Sequence, residues 1–220
     1  MPTPAVLRHE GTLRYETAWA LQHRLVRECV AGERADTLLL LEHPSVYTVG
    51  RRGAGEWRDG GDIPVVPVER GGAVTYHGPG QLIGYPIVKL RRFARGPKAF
   101  VHRLEEVLIG ALRDFDIDGI RVMGRPGIWT GDVDPRKIAS LGLRIVDGVT
   151  MHGFALNVTV DLAPFSRIVP CALPDCRMTS MAEILHRDVS IAAVRDAVAA
   201  QFAAVFDLAW MPEAAVVEAV

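Results

Sequence analysis

The chain has 220 residues, 49% of them apolar and 23% charged, with a formal net charge of −1. That is the balance of a globular protein able to bury a real core, and it gives no reason to expect nucleic acid or an anionic membrane surface as a partner. Three cysteines, Cys29, Cys171 and Cys176, make no disulfide framework and fit a reducing compartment; with no secretory leader and no apolar run of roughly 18 residues, the expected location is the cytoplasm.

Ala18, Leu21, Leu25 and Cys29 recur at helical spacing, which predicts an amphipathic helix over 16–31 with Cys29 in the core. Residues 37–42 and 45–50 follow as short apolar strands. The stretch 51–61, rich in Gly and Arg, reads as a loop. Further strands are predicted at 63–68, 73–76 and 82–90, then a helix over 97–115 with Val101, Leu104, Leu108 and Leu112 on one face. A hairpin-rich region comes next, with strands at 120–123, 127–130, 137–146 and 149–160 and a tight turn at Asp147-Gly148. Ser190 is suited to cap a last helix carrying Ile191, Val194, Val198, Phe202 and Val205. Strands and helices are grouped rather than alternating. The expectation is therefore an α/β fold of the α+β type, one domain over 1–220, whose mixed central sheet has its helices on one side.

Four stretches carry chemistry. Arg70, Gly71, Gly72, Ala73, Val74, Thr75, Tyr76 and His77, followed by Gly78-Pro79-Gly80-Gln81, combine glycines that let a ligand approach the backbone with polar groups for the ligand's polar end. A plain glycine-rich hairpin pair, with His77 satisfied by a neighbour, is the alternative. In Lys137-Ile138-Ala139-Ser140-Leu141-Gly142, strand alternation puts Lys137, Ala139 and Leu141 on one face; a lysine there either reaches out to solvent or serves a site. Cys171 follows a proline in a loop-like stretch, where a nearby cation would make it a thiolate nucleophile; composition alone does not choose between it, Cys176 and an inert thiol. His152, ahead of Gly153-Phe154-Ala155-Leu156-Asn157, offers an acid or base or a structural hydrogen bond. His77, His152, Cys171 and Cys176 lack the paired close spacing of a zinc site, so no metal is expected.

Together these blocks resemble the octanoyltransferases of lipoate biosynthesis. The resemblance rests on Leu41-Glu42-His43-Pro44, Tyr47-Thr48-Val49-Gly50-Arg51, Arg70 to Leu82, Tyr85-Pro86, Lys137 to Gly142, His152 to Asn157 and Ile168-Val169-Pro170-Cys171. It implies the catalytic-domain fold of biotin and lipoate protein ligases and no cofactor. It further implies an acyl-thioester on Cys171, whose thiol Lys137 makes more acidic, with an acyl pocket lined by Arg70 to His77, Ser140 to Gly142 and Gly153 to Ala155. The implied donor is octanoyl-acyl carrier protein; the acceptors are lysines on lipoyl domains of 2-oxoacid dehydrogenase E2 subunits and on glycine cleavage H protein. Lys137 in its neutral form, His77 or His152 would take the acceptor lysine's proton, with His152 an auxiliary residue. Ala172 departs from the family's glycine after the nucleophile, and Cys176 adds a second thiol. Arg51, Arg52, Arg91, Arg92 and Arg95 are candidates for docking an acidic carrier. The rivals are an ATP-dependent ligase of the same fold, and a non-catalytic acyl-binding module that kept the pocket.

Overall fold

In the computed structural model, residues 1–53, 61–169 and 176–212 are described. In chain order the elements are β1 (Thr3–Thr12), α1 (Tyr15–Ala31), β2 (Thr37–Glu42), β3 (Val46–Val49), β4 (Val65–Pro67), β5 (Val74–His77), β6 (Gln81–Ile87), α2 (Leu90–Phe93) and α3 (Pro97–Arg113). They continue with β7 (Ile120–Val122), β8 (Arg125–Thr130), β9 (Arg136–Val146), β10 (Val149–Asn157), a 3-10 turn at Ala163–Arg167, α4 (Met181–Leu185), α5 (Ile191–Phe206) and β11 (Leu208–Met211). Eight strands form one mixed sheet in the order β11-β1-β2-β6-β10-β9-β8-β7, and β4-β3-β5 form a second, small sheet. β1 pairs in parallel with both β11 and β2, and the remaining pairs β2–β6, β6–β10, β10–β9, β9–β8 and β8–β7 are antiparallel.

The four leucines of β2 explain the layering. Leu38 and Leu40 face one core with α3 and α5, built around Phe100, Leu104, Leu108, Val198 and Phe202. Leu39 and Leu41 face a second core with Ala18, Leu25 and Cys29 of α1. A strand apolar on both faces needs cover on both, so helices flank the sheet on two sides, not the one side the sequence suggested. The two strands at one end of the sheet, β1 and β11, also escape the periodicity reading: β1 carries His9, Glu10 and Thr12 among its apolar residues, and β11 is four residues long. The predicted strand over 82–90 ends at Ile87, because Leu90 opens a short helix. Ser190 caps α5 as expected, its hydroxyl accepting from Ala193 N–H at 3.3 Å. Among the described residues no helix is long and apolar enough to cross a membrane.

Candidate active site

The site grows from an irregularity shared by two neighbouring strands. The β6–β10 pairing sets Phe154 against Gly84 and, further along, Val149 against Lys89, so Pro86 falls opposite His152. Proline has no N–H to give the ladder. His152 leaves it too: its backbone is left-handed, with φ of 56°, and its N–H donates to Gln22 Oε1 of α1 at 2.8 Å. A non-glycine residue held this way costs about 1–3 kcal/mol, and such strain gathers at functional sites. Here it turns the imidazole toward α1 and the small sheet, where Nδ1 lies 3.5 Å from Tyr15 Oη and Nε2 lies 3.9 Å from Glu69 Oε1. Among the described residues Nε2 has no hydrogen-bond partner.

Between the two sheets at this point is a cavity of about 470 Å³ including its mouth. The small sheet and the turn before it contribute Arg70, Gly72, Ala73, Val74, Thr75 and His77; β9 contributes Ser140, Leu141 and Gly142; β10 contributes His152, Gly153, Phe154 and Ala155; Tyr15 and Tyr85 complete the wall. Its surface is mainly apolar with a few polar groups, the character of a small-molecule site. Of the sequence-predicted pocket residues, Gly71 and Tyr76 are not in the lining. Gly71 N–H instead donates to Leu143 O at 3.0 Å and ties the small sheet to β9. Tyr76 packs with Tyr47 and Phe165, its hydroxyl 2.9 Å from Ser45 Oγ. Tyr15 and Tyr85 escaped the pocket prediction. Tyr85 stood in a matching block, whereas Tyr15, at a helix start, gives no signal that separates it from core.

Burial sets the protonation of this region. It holds His77 well below the ordinary imidazole range, with the neighbouring His43 and the Arg70 guanidinium acting in the same direction. His152 is lowered to about 4 by burial, against the opposing pull of Glu69. His43 is likewise lowered to about 4 by burial; its Nδ1 lies 2.7 Å from Leu13 O and its Nε2 2.8 Å from Tyr85 Oη. Burial raises both the Tyr15 and Tyr85 hydroxyls. At neutral pH these groups are uncharged hydrogen-bonding partners.

Lys137 sits on β9, three residues before Ser140, and is 1% exposed. Its Nζ lies 5.5 Å from the centre of the Trp129 ring. The alternation expected around it is broken: Trp129 pairs with Lys137 but Ile128 with Ala139, a bulge at Ile138, so Ile138 and Ala139 both enter the main core. Bulges re-aim side chains, and this one directs Lys137 inward. The strand is clamped from outside the hairpin as well: Lys137 N–H donates to Arg177 O at 2.7 Å, and Thr179 N–H to Lys137 O at 2.9 Å. Cys171 and Ala172 lie outside the described residues. Cys176 is half-buried, its Sγ 3.8 Å from Met178 Sδ. Among the described residues no three His, Cys, Asp or Glu side chains are grouped to hold a metal ion.

The chain matches the family model of the lipoyl protein ligase A/B catalytic domain over residues 14–203. It is 48% identical to an octanoyltransferase of Acidothermus cellulolyticus over 88% of both chains. With octanoyltransferases of Syntrophotalea carbinolica and Mycobacterium tuberculosis the identities are 46% and 47%, over 94% and 91% of this chain and 96% and 86% of those. It belongs to the octanoyltransferase family. Solved structures of lower identity share the octanoyltransferase fold. A lipoate-protein ligase A bound with ATP superposes with a TM-score of 0.69 at 16% identity, covering 100% of this chain and 94% of that one. A biotin protein ligase from Aquifex aeolicus gives 0.52 at 14%, over 94% and 70%. The family membership makes the chain an acyltransferase.

Two of the candidate docking arginines share one short helix. Arg91 and Arg92 lie on α2, whose Leu90 N–H donates to Gly148 O at the β9–β10 turn. That turn is at the opposite end of β9 from Lys137, roughly 30 Å away at the usual strand rise. Arg92 is also paired with the buried Asp36 carboxylate at 2.9 Å. Arg91 and Arg92 therefore lie at the far end of the sheet from Lys137.

Proposed function

We propose that this domain transfers an octanoyl group from octanoyl-acyl carrier protein to a lysine of lipoyl domains, through a thioester on Cys171. The observation that carries the reading is the clamp on Lys137. A lysine 1% exposed is costly unless its charge has work to do, and its main chain is bonded on both sides to Arg177 and Thr179, just beyond the segment that contains Cys171. A cation held there stabilises the Cys171 thiolate by charge. The thiolate attacks the thioester carbonyl of the donor; the C–S bond to the carrier's phosphopantetheine thiol breaks, and that thiol leaves with the proton of the Lys137 ammonium, which becomes the neutral amine. One thioester replaces another, so loading needs no ATP.

The acyl chain lies in the cavity between the sheets. Gly142 shows why the wall is glycine: a Cβ there would stand 2.9 Å from Gly71 O. The acceptor lysine, as a neutral amine, then attacks the acyl-Cys171 carbonyl, and formation of the amide releases the thiolate. Of the three candidate proton acceptors, both ring nitrogens of His77 are engaged, with Gln81 and Thr48. His152 pairs across β9 with Leu143, six residues from Lys137, which supports a place in the pocket rather than at the nucleophile. That leaves Lys137 for the proton. The acceptors are lipoyl domains of 2-oxoacid dehydrogenase E2 subunits and glycine cleavage H protein, and the setting is the cytoplasm.

Incubation with octanoyl-carrier protein without ATP, followed by intact mass and peptide mapping, tests this reading. It expects an octanoyl adduct on Cys171 that Cys171→Ser abolishes. An adduct on Cys176 instead, or acylation only with free octanoate and ATP, overturns it.

A further inference from the structure

A line of buried side chains runs from the cavity to the main chain at Lys137, and its hydrogen bonds all point one way. It begins at Arg70, whose guanidinium only donates. Arg70 Nε–H and Nη2–H go to Thr48 Oγ1 at 3.2 and 2.8 Å. The Thr48 hydroxyl, accepting twice, gives its own proton to His77 Nε2 at 3.3 Å. An accepting Nε2 leaves the proton of the neutral ring on Nδ1, which donates to Gln81 Oε1 at 2.8 Å. Gln81 Nε2 donates to Asn157 Oδ1 at 2.9 Å, and Asn157 Nδ2 donates to Thr179 O at 2.9 Å. Arg70 at one end can only give and a carbonyl at the other can only accept, so the direction and the His77 tautomer are fixed between them.

Gln81 and Asn157 are the last pair of the β6–β10 ladder. They are 2% and 1% exposed, and Thr179 is fully buried. Buried polar groups at strand positions are tolerated only when each is satisfied, and a satisfied network then fixes one arrangement. What this one fixes is the segment 177–179, which bridges to Lys137 through Met178 and which Lys137 brackets with two backbone hydrogen bonds.

We propose that Gln81 and Asn157 are positioning residues of the acyl transfer: they lock the segment 177–179 against Lys137 and so set the register between that lysine and the chain leading back to Cys171. The inference rests on the reading of Cys171 and Lys137 given above. Gln81 and Asn157 do not line the cavity, so the effect of removing them falls on the loading step and not on acyl binding.

Two variants test it, after the wild-type protein has been mapped with octanoyl-carrier protein. A wild-type adduct anywhere but Cys171 refutes the nucleophile assignment itself and is thereby told apart from failure of this inference. With Cys171 loaded, Asn157→Ala is expected to lower kcat of loading by about tenfold or more, as sub-ångström misplacement does, with KM for the donor changed less than twofold. In Asn157→Asp the ionised carboxylate has no proton for Thr179 O, whereas the protonated acid has one. Its loading rate relative to wild type is therefore expected to rise as pH falls, and this measurement stands even if Asn157→Ala does not fold. A kcat within twofold of wild type, a loss carried by KM alone, or an Asn157→Asp profile parallel to wild type overturns the inference.

Discussion

Gly127 and Lys137 share one space: a Cβ on Gly127 would stand 2.5 Å from Lys137 Cε and 3.0 Å from its Nζ. Gly127 also has φ of 115°, which a side chain rarely adopts. Gly127→Ala therefore strains the strand and displaces the ammonium together. It is expected to lower stability by about 1–3 kcal/mol and to slow Cys171 loading by more than the stability loss explains at a temperature where the variant is folded. Thermal melts beside single-turnover loading rates check this; loading at the wild-type rate would show that the lysine has other room.

Lys137→Met keeps the length of the side chain and removes its charge. If the cation holds the Cys171 thiol acidic, the midpoint of its alkylation against pH moves up by about one to three pH units in the variant, and the rate at pH 7 falls accordingly. Iodoacetamide kinetics in a background with Cys29 and Cys176 changed to Ser supply the measurement. A superimposable profile refutes the electrostatic role.

Gly142 and Gly71 bear on chain length. The Cβ of Gly142→Ala meets the Gly71 carbonyl at 2.9 Å and Arg70 Cδ at 3.4 Å. A backbone carbonyl yields less readily than a side-chain end, so the small sheet must move relative to β9. The expected result is a higher KM for octanoyl donors than for hexanoyl donors, with overpacking costing about 1–3 kcal/mol of stability. Equal effects on both chain lengths would place Gly142 away from the acyl tail.

The parts of this architecture that the sequence disclosed are those whose signal is local. The leucines of β2 mark a buried strand, Ser190 marks a helix start, and the glycines near Arg70 mark a wall that something approaches. Twelve of the predicted pocket positions line one cavity because they fall in three short runs. What stayed hidden depends on pairs distant in sequence. Nothing near Pro86 announces that it faces His152, nor does Gly127 announce the lysine lying over it. The Ile138 bulge breaks an alternation that looks regular along β9, since only its pairing with β8 reveals the extra residue. Likewise the Gln81–Asn157 bond joins residues 76 apart, and no periodicity encodes it.

Three neutral histidines make the fold acid-sensitive. His43, His77 and His152 all sit below the ordinary imidazole range because burial disfavours their charge. In the unfolded chain each takes up a proton near pH 6.5; in the folded protein His43 and His152 wait until about pH 4, and burial holds His77 well below the ordinary imidazole range as well. Above pH 6.5 both states are neutral and these groups leave stability unchanged. As pH falls below that value the unfolded state binds protons the folded state refuses, so stability drops, and His43 and His152 stop contributing to the slope below about 4. Integrated from pH 7 to 5 the loss is about 4 kcal/mol for His43 and His152 together, and His77 adds to it in the same direction. Urea unfolding at several pH values measures it, and His152→Asn isolates one share. Asparagine accepts the left-handed backbone at this position better than most residues but cannot titrate, so the pH 7 to 5 loss is expected to shrink by about 2 kcal/mol. A loss as large as wild type's would mean that His152 is already protonated in the folded protein, and that the Glu69 carboxylate, 3.9 Å from its Nε2, outweighs the burial.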